Sequence, residues 1–453
     1  MSQAPSEAAP SFRTLLSLAW PVVISRASQV VVGLTDALMV AHLGEAALAA
    51  TTAGAMNTYA VMILPMGTVF IVGSFSAQFF GKGDLVGARR YGYYGLLVAL
   101  ATQVFAVLGI VVTPTVLSWL PYASDVQTLM TDYMVIRLLS AGPAIAMEAL
   151  GSYYGGLGDT RRAMRANIFA MGLNVVLCWV LINGNLGAPA MGVKGAAWAN
   201  VLATTAACGL FLYWFFAERI GAHGLSAKEF RRMLRFGLPS GFNWFFEFFA
   251  FNGFINVVMA GLGTTSLAAM MSVLQINSMS FMPAFGLASA GAVLAGQAIG
   301  MKRHDDVGKV LRITLIATCV WQGAVGLLYL LVPKLLMRPF AADEATQGLL
   351  FEVGARMLMV SAAWQLFDAT AMVIAETLRA AGDTAFTLWV RAGLAWLVML
   401  PGGWVTARYL DWSDVGVLSW VIVYLALLAV ALVFRFRAGS WRRIELTSEV
   451  PAH

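Results

Sequence analysis

Long stretches without any Asp, Glu, Lys or Arg constrain this chain more than any other feature of its sequence. About 20 apolar residues cross the hydrocarbon core of a bilayer as a helix, and backbone in lipid must satisfy its own hydrogen bonds. Each uncharged stretch is long enough to do so, and Phe236–Met301 contains a single charged residue, Glu247. We therefore predict an all-α integral membrane protein. The uncharged stretches are Ala46–Gly81, Gly92–Ser124, Ala166–Val193, Ile313–Pro333 and Val415–Phe434.

Polar breaks divide this apolar sequence into twelve predicted transmembrane helices, six in each half. Several predicted spans exceed the hydrocarbon thickness, which implies tilted or kinked helices, and prolines inside the spans would supply the kinks. The predicted spans are 15–42, 50–79, 92–118, 132–156, 164–183, 194–217, 236–260, 266–298, 310–335, 352–379, 385–407 and 414–435.

The two halves repeat the same landmarks in the same order. Pro21 and the Leu-Gly stop at Gly44 correspond to Pro239 and the Leu-Gly stop at Gly263, and a Gly-Asp-Thr sequence follows span 4 and span 10. Six spans return the chain to its starting side, so we predict two pseudo-symmetric six-helix lobes with the same orientation. The predicted boundaries are an N-terminal tail at 1–13, an N-lobe at 14–217, a linker at 218–235, a C-lobe at 236–437 and a C-terminal tail at 438–453.

The basic residues predict the topology. Most of the 29 Lys and Arg residues lie in the even-numbered loops and the termini, whereas odd-numbered loops hold four. The positive-inside rule then places both termini in the cytoplasm of a multi-pass plasma membrane protein, for which we expect a bacterial inner membrane. Because the positive charge is spread over many loops, we expect lipid rather than nucleic acid as its partner. The three cysteines all lie in spans, so we expect no disulfide framework.

Three acidic residues within the spans are the strongest candidates for a functional site. Asp36 lies in span 1, Glu247 in the aromatic sequence GFNWFFEFFAF of span 7, and Asp368 in span 10. Ionisable residues at membrane depth are costly and mark ion or substrate pathways. We predict that these acids exchange a cation or a proton. A structural acid bonded to a buried Asn or Ser is the alternative.

Polar neighbours form a second group of candidates. Asn174 and Asn200 could orient Asp36 or coordinate a cation, because hard cations favour carboxylate and amide oxygens, although interhelical hydrogen bonding would also explain them. Arg26 lies deep in span 1 and could line a cavity or neutralise an acid. Gln29 occupies the place in the first half that Glu247 occupies in the second.

An apolar cleft for substrate is predicted from the Phe- and Met-rich faces of spans 7 and 8. Its candidate residues are Phe245, Phe249, Met270, Met271 and Met279, although packing against lipid explains any one of them equally well. We find no metal-ligand spacing, phosphate-binding loop or nucleophile–base pair. We therefore predict a monomeric transporter rather than an enzyme, with Na⁺ or H⁺ as coupling ion and no cofactor or structural metal.

These patterns together resemble the multidrug and toxic compound extrusion (MATE) family, nearest its NorM-like branch, over about 12–440. The resemblance depends on Pro21, Asp36 and Gly44 in span 1, on GLPSGFNWFFE up to Glu247, and on LGTT, QLFD and LRAAGDT farther along the chain. It implies antiport, in which amphipathic or cationic drugs leave the cell in exchange for Na⁺ or H⁺ as two lobes rock about a central cleft.

By position, the resemblance makes Asp36 and Asn174 the N-lobe site and assigns Glu247 with Asp368 to a C-lobe site that could bind Na⁺ transiently. The sequence departs from the family at Cys178, one turn after Asn174, where a polar Asn or Asp is usual. The N-lobe site could therefore have fewer polar ligands.

Other functions remain as alternatives. The sequence GKGDLVGARR after span 2 resembles the inner loop of major-facilitator antiporters. A lipid-linked oligosaccharide flippase of the wider superfamily is also compatible with the chain. A membrane-embedded transferase would need an interfacial acidic cluster, for which only Asp159 and Asp383 are available.

Overall fold

The structure, a computed structural model, describes residues 11–218, 220–221, 224–340, 344–410 and 414–447. These residues form helices and contain no β-strand. Twelve helices are long and apolar enough to cross a membrane, which confirms the predicted fold class. In chain order, they are α1 (Phe12–Ala41), α2 (Glu45–Gly81), α3 (Leu85–Ser118), α4 (Ser124–Gly156), α5 (Thr160–Asn183), α6 (Val193–Ala217), α7 (Ala227–Leu262), α8 (Thr264–Gly300), α9 (His304–Leu331), α10 (Leu350–Ala381), α11 (Thr384–Tyr409) and α12 (Asp414–Arg437).

Most helices extend beyond the apolar runs that predict them. The clearest case is α7, which begins at Ala227, so that the basic sequence AKEFRRMLR predicted as linker is the first part of this helix. Apolar content marks the part of a helix that lies in lipid, whereas an amphipathic basic segment continues the helix without adding to that signal. Of the predicted tails, 1–13 and 438–453, only residues 1–10 and 448–453 lie outside the described residues.

Two proline positions coincide with local changes of helix type. A 3₁₀ turn at Leu138–Ser140 precedes Pro143 in α4, and a π-helical segment at Ala395–Met399 precedes Pro401 in α11. A proline ring clashes with the carbonyl four residues earlier and lacks an N–H donor. The carbonyls at 139 and 397 lie inside these altered turns, so proline accounts for these two departures from regular α geometry. The π-helical segment at Phe254–Met259 of α7 has no proline after it.

The repeated Leu-Gly stops have a conformational reason. Gly44 and Gly263 adopt φ values of 108° and 110° at the turns before α2 and α8. Only glycine adopts this region readily, so each repeat needs it at the same place. The repeat therefore encodes matching turns as well as matching spans.

Two charged residues of the GKGDLVGARR sequence after α2 make contacts that stabilise the fold. The Asp84 carboxylate accepts a hydrogen bond of 2.7 Å from the Gly87 amide and caps α3. Arg89 is buried and donates to the Phe215 carbonyl oxygen at 2.5 Å. The acids of the Gly-Asp-Thr sequences are also paired, Asp159 with Arg162 and Asp383 with Arg435.

The chain forms two compact units. Among the described residues, unit 1 comprises 24–241, and unit 2 comprises 11–23 and 242–447. Helices α1 and α7 therefore each contribute their first part to one unit and the remainder to the other. In unit 2, Ala284, Ala288, Ala292 and Ala295 form a buried stripe along α8, which packs against α9 and α10. Small side chains allow the close helix packing on which membrane proteins depend.

Candidate functional site

In unit 1, Asp36 is 6% exposed and makes hydrogen bonds to side chains of two other helices. Asn200 on α6 donates its amide to one carboxylate oxygen at 2.6 Å, and Cys178 on α5 donates its thiol to the other at 3.2 Å. Both donors are neutral. The Asp36 carboxylate is therefore oriented from two sides. Among the described residues, no Lys or Arg forms a salt bridge with it, and Arg137 interacts with it only electrostatically.

Asn174 lies one helical turn before Cys178 on α5, with its amide oxygen 3.9 Å from the thiol sulfur. Its side chain is 1% exposed, and its amide nitrogen is buried without a hydrogen-bond partner. The structure thus brings Asp36, Asn174, Cys178 and Asn200 together. It also adds the buried Tyr133 of α4, which interacts electrostatically with Asp36.

A separate polar cluster in unit 1 contains Arg26. Its guanidinium bonds to both oxygens of Glu148 on α4, at 2.7 and 3.2 Å, and to Gln29 at 3.4 Å. Gln29 in turn bonds to Asn167 at 3.3 Å. Arg26 therefore neutralises an acid, and that acid is Glu148 rather than Asp36.

In unit 2, Glu247 on α7 bonds to an arginine. A single guanidinium nitrogen of Arg391 on α11, Nη1, lies 2.6 Å from both carboxylate oxygens of Glu247. The Arg391 side chain is 15% exposed, and the Glu247 side chain is 28% exposed. The Arg391 Nε is buried without a hydrogen-bond partner.

Asp368 on α10 belongs to the same cluster. It interacts electrostatically with Arg391 and Glu247, and the fully buried Tyr424 of α12 interacts with all three. Four helices thus each contribute one residue to a group of two acids, one guanidinium and one phenol. We call these four residues, Glu247, Asp368, Arg391 and Tyr424, the unit 2 cluster.

The candidate cleft residues occupy different environments. The Phe245 and Phe249 rings are neighbours, with centroids 4.5 Å apart. Met271 and Met279 are exposed, at 54% and 61%. Met270, in contrast, is fully buried in the apolar core of unit 2, so it presents no surface to a substrate in this structure.

Asn200 bonds to Asp36, as the sequence predicts, whereas the arginine and tyrosine partners of the candidate acids are not predicted. Arg391 carries a signal for such a partner, because an arginine seven residues into an apolar span is as costly as a buried acid and predicts a paired anion. Tyr133 and Tyr424 carry no such signal, because a tyrosine within a span is common. Among the described residues, no group of three or more His, Cys, Asp or Glu side chains is arranged to hold a metal ion.

Comparisons with known proteins agree with this architecture. The family model MatE matches residues 21–180 and 239–405. A relative from Pseudomonas putida, described as "Probable multidrug resistance protein NorM", is 28% identical over 95% of this chain and 94% of its own. A relative of the same description from Neisseria meningitidis is 26% identical over 93% of each chain.

A solved structure of a MOP superfamily transporter from Pyrococcus furiosus has the same fold. It covers 96% of this chain and 97% of its own, with a TM-score of 0.86 and 20% sequence identity. The family match spans most of both halves and includes Asp36, Glu247 and Asp368. This chain therefore belongs to the MatE family, and with it to the multidrug and toxic compound extrusion transporters rather than to the enzymes.

Proposed function

We propose that this protein is a secondary active multidrug efflux antiporter that exports amphipathic or cationic compounds in exchange for H⁺ or Na⁺. The observation that carries the proposal is the presence of carboxylates at membrane depth in both units, Asp36 in unit 1 and Glu247 with Asp368 in unit 2. The description of the relatives as multidrug resistance proteins supports drugs as the exported substrates.

The carboxylates couple the two fluxes in this proposal. An ion can drive a conformational change only if it binds one state more tightly than the other, and the drug must favour the opposite state. A buried carboxylate that gains or loses a positive charge changes its interaction energy with its surroundings by several kcal/mol, on the order of what such a bias requires. Rocking alternating access then exchanges drug for ion.

We further propose a monomer in the bacterial inner membrane, with both termini in the cytoplasm. The support is the positive-inside distribution of Lys and Arg and the bacterial origin of the relatives.

The test is efflux of ethidium from proteoliposomes under an imposed pH or Na⁺ gradient. Either the pH gradient or the Na⁺ gradient should accelerate efflux by the unsubstituted protein. Glu247→Gln or Asp368→Asn should abolish this acceleration. Asp305→Asn is the matched control, because its carboxylate is 93% exposed and should leave efflux unchanged. Full coupled transport by both unit 2 variants would refute the assignment of these acids.

A further inference from the structure

Within unit 2, the Arg391 guanidinium occupies the position that a chelated metal ion would take. Nη1 lies at the same distance, 2.6 Å, from both Glu247 oxygens, instead of forming the fork in which two nitrogens face two oxygens. A cation held by both oxygens of a carboxylate lies in the same place. An ion such as Na⁺ therefore cannot be chelated by the two Glu247 oxygens while the Arg391 guanidinium occupies that position.

The charge of the cluster leads to the same conclusion. With both acids ionised, Glu247 and Asp368 carry two negative charges and Arg391 one positive charge, so one more positive charge balances the group. If Arg391 were neutral, two would be required. The arginine thus supplies half of the compensation that cations would otherwise provide.

Few side-chain oxygens remain for a hard cation in this cluster. Such ions need several oxygen ligands, and both Glu247 oxygens already accept hydrogen bonds from the Arg391 guanidinium. Asp368 offers two oxygens and Tyr424 one, whereas a proton needs only a single oxygen. The helices packed most extensively against α10 add no further charge near Asp368: α8 has no titratable side chain, beyond Arg312 α9 has only Cys319 and Tyr329, and α12 has only Tyr424 between Asp414 and Arg435 at its two ends.

We propose that Arg391 is a resident counter-cation that excludes Na⁺ from the unit 2 acids, so that this unit exchanges protons. The inference rests on the proposed antiport function, whose ion it specifies for one of the two units. In this proposal Arg391 determines which ion unit 2 exchanges, although it is not itself exchanged. It remains bonded to Glu247, and the exchanged proton binds at Asp368.

Binding of ²²Na⁺ to purified protein tests this directly. The Asp36→Asn background removes the candidate coupling acid of unit 1, so saturable Na⁺ binding that Glu247→Gln abolishes reports on unit 2. We expect no saturable binding in Asp36→Asn and a gain of saturable binding in Asp36→Asn/Arg391→Gln. Adding Glu247→Gln to the second variant should remove that binding again.

Arg356→Gln in the same background is the matched control. Arg356 is also an arginine of unit 2, paired with Asp414 at 3.7 Å, and its removal should not create Na⁺ binding. The proposal would be overturned if Asp36→Asn bound Na⁺ saturably and Asp36→Asn/Glu247→Gln did not. This comparison requires no substitution of Arg391. A folded Asp36→Asn/Arg391→Gln variant that binds no Na⁺ would overturn it as well.

The binding assay is independent of transport. If no gradient drives drug efflux by the unsubstituted protein, the antiport proposal fails while the exclusion of Na⁺ by Arg391 can still be measured. If efflux is normal and Asp36→Asn binds Na⁺ at Glu247, only the inference about Arg391 fails.

Discussion

The two units balance the charge of their membrane-embedded acids in different ways. In unit 1, Asp36 accepts hydrogen bonds from a neutral amide and a neutral thiol, Arg137 interacts with it only electrostatically, and Arg26 bonds to Glu148. In unit 2, Glu247 bonds directly to the guanidinium of Arg391. The hydrogen-bond donors to the carboxylate are thus neutral in one unit, whereas the donor is a guanidinium in the other.

The difference shows what an internal repeat can and cannot specify. Both halves keep the turns at Gly44 and Gly263, because each needs a positive φ there. The acids and their partners do not recur between the halves. Symmetry therefore provides the scaffold, and departures from symmetry distinguish the two sites.

The largest effect should come from removing Arg391. Arg391→Gln leaves two acids without a counter-charge in a mostly buried cluster, and breaking such a pair costs about 3–5 kcal/mol of stability. Unfolding of the purified protein in detergent, followed by tryptophan fluorescence, measures this loss. Arg391→Gln/Glu247→Gln should recover much of it, and a loss below about 1 kcal/mol for Arg391→Gln would show that the pair is not a structural contact.

A somewhat smaller effect is expected from the Arg26–Glu148 pair. Glu148→Gln leaves Arg26 without its anion, although Gln29 still accepts a bond, so we expect a loss of about 2–3 kcal/mol. The folded variant should keep gradient-driven ethidium efflux, because this pair stands apart from Asp36. Arg26→Gln/Glu148→Gln should be more stable than Glu148→Gln alone, and abolished coupling in that folded double variant would place the pair in the transport site.

Asn200→Ala should have an intermediate effect. It removes the 2.6 Å hydrogen bond to the Asp36 carboxylate, and a hydrogen bond to a charged group contributes about 1.5–3 kcal/mol. Stability should therefore fall by about this amount, and the pH or Na⁺ dependence of efflux should shift, because the ionised carboxylate loses a donor. Asn185→Ala is the control, because the half-buried Asn185 donates to the Trp179 carbonyl oxygen rather than to Asp36. An unchanged ion dependence in Asn200→Ala would mean that Asn200 does not act on Asp36.

The smallest effect is expected at Cys178. Cys178→Ser keeps a donor within reach of Asp36 and should change stability by less than about 1 kcal/mol, whereas Cys178→Ala removes the bond and should cost about 1 kcal/mol. Efflux by the serine variant should match that of the unsubstituted protein. A serine variant as impaired as the alanine variant would show that the volume of the sulfur, rather than its hydrogen bond, is what matters.

The sequence predicts the fold well because span length and charge are local properties. All twelve spans could be placed from apolar runs and the polar breaks between them, and Asp36, Glu247 and Asp368 could be selected because acids within apolar runs are rare. The pairing of Glu247 with Arg391 joins residues 144 positions apart, and that of Arg26 with Glu148 spans 122. Helix packing decides such pairs, and no spacing within the sequence encodes it.

The start of α7 shows a second limit of the sequence. Charged residues after Ala227 end the apolar signal, yet the backbone is helical there. Hydropathy reports which solvent a segment contacts rather than its conformation, so it predicts spans more accurately than helix ends.

The most direct test of the central claim, that acids in both units couple ion and drug movement, is gradient-driven ethidium efflux by Asp36→Asn/Asp368→Asn in proteoliposomes. The account predicts that this double variant still binds ethidium but that neither a pH gradient nor a Na⁺ gradient accelerates its efflux. Gradient-driven efflux at the rate of the unsubstituted protein would contradict it.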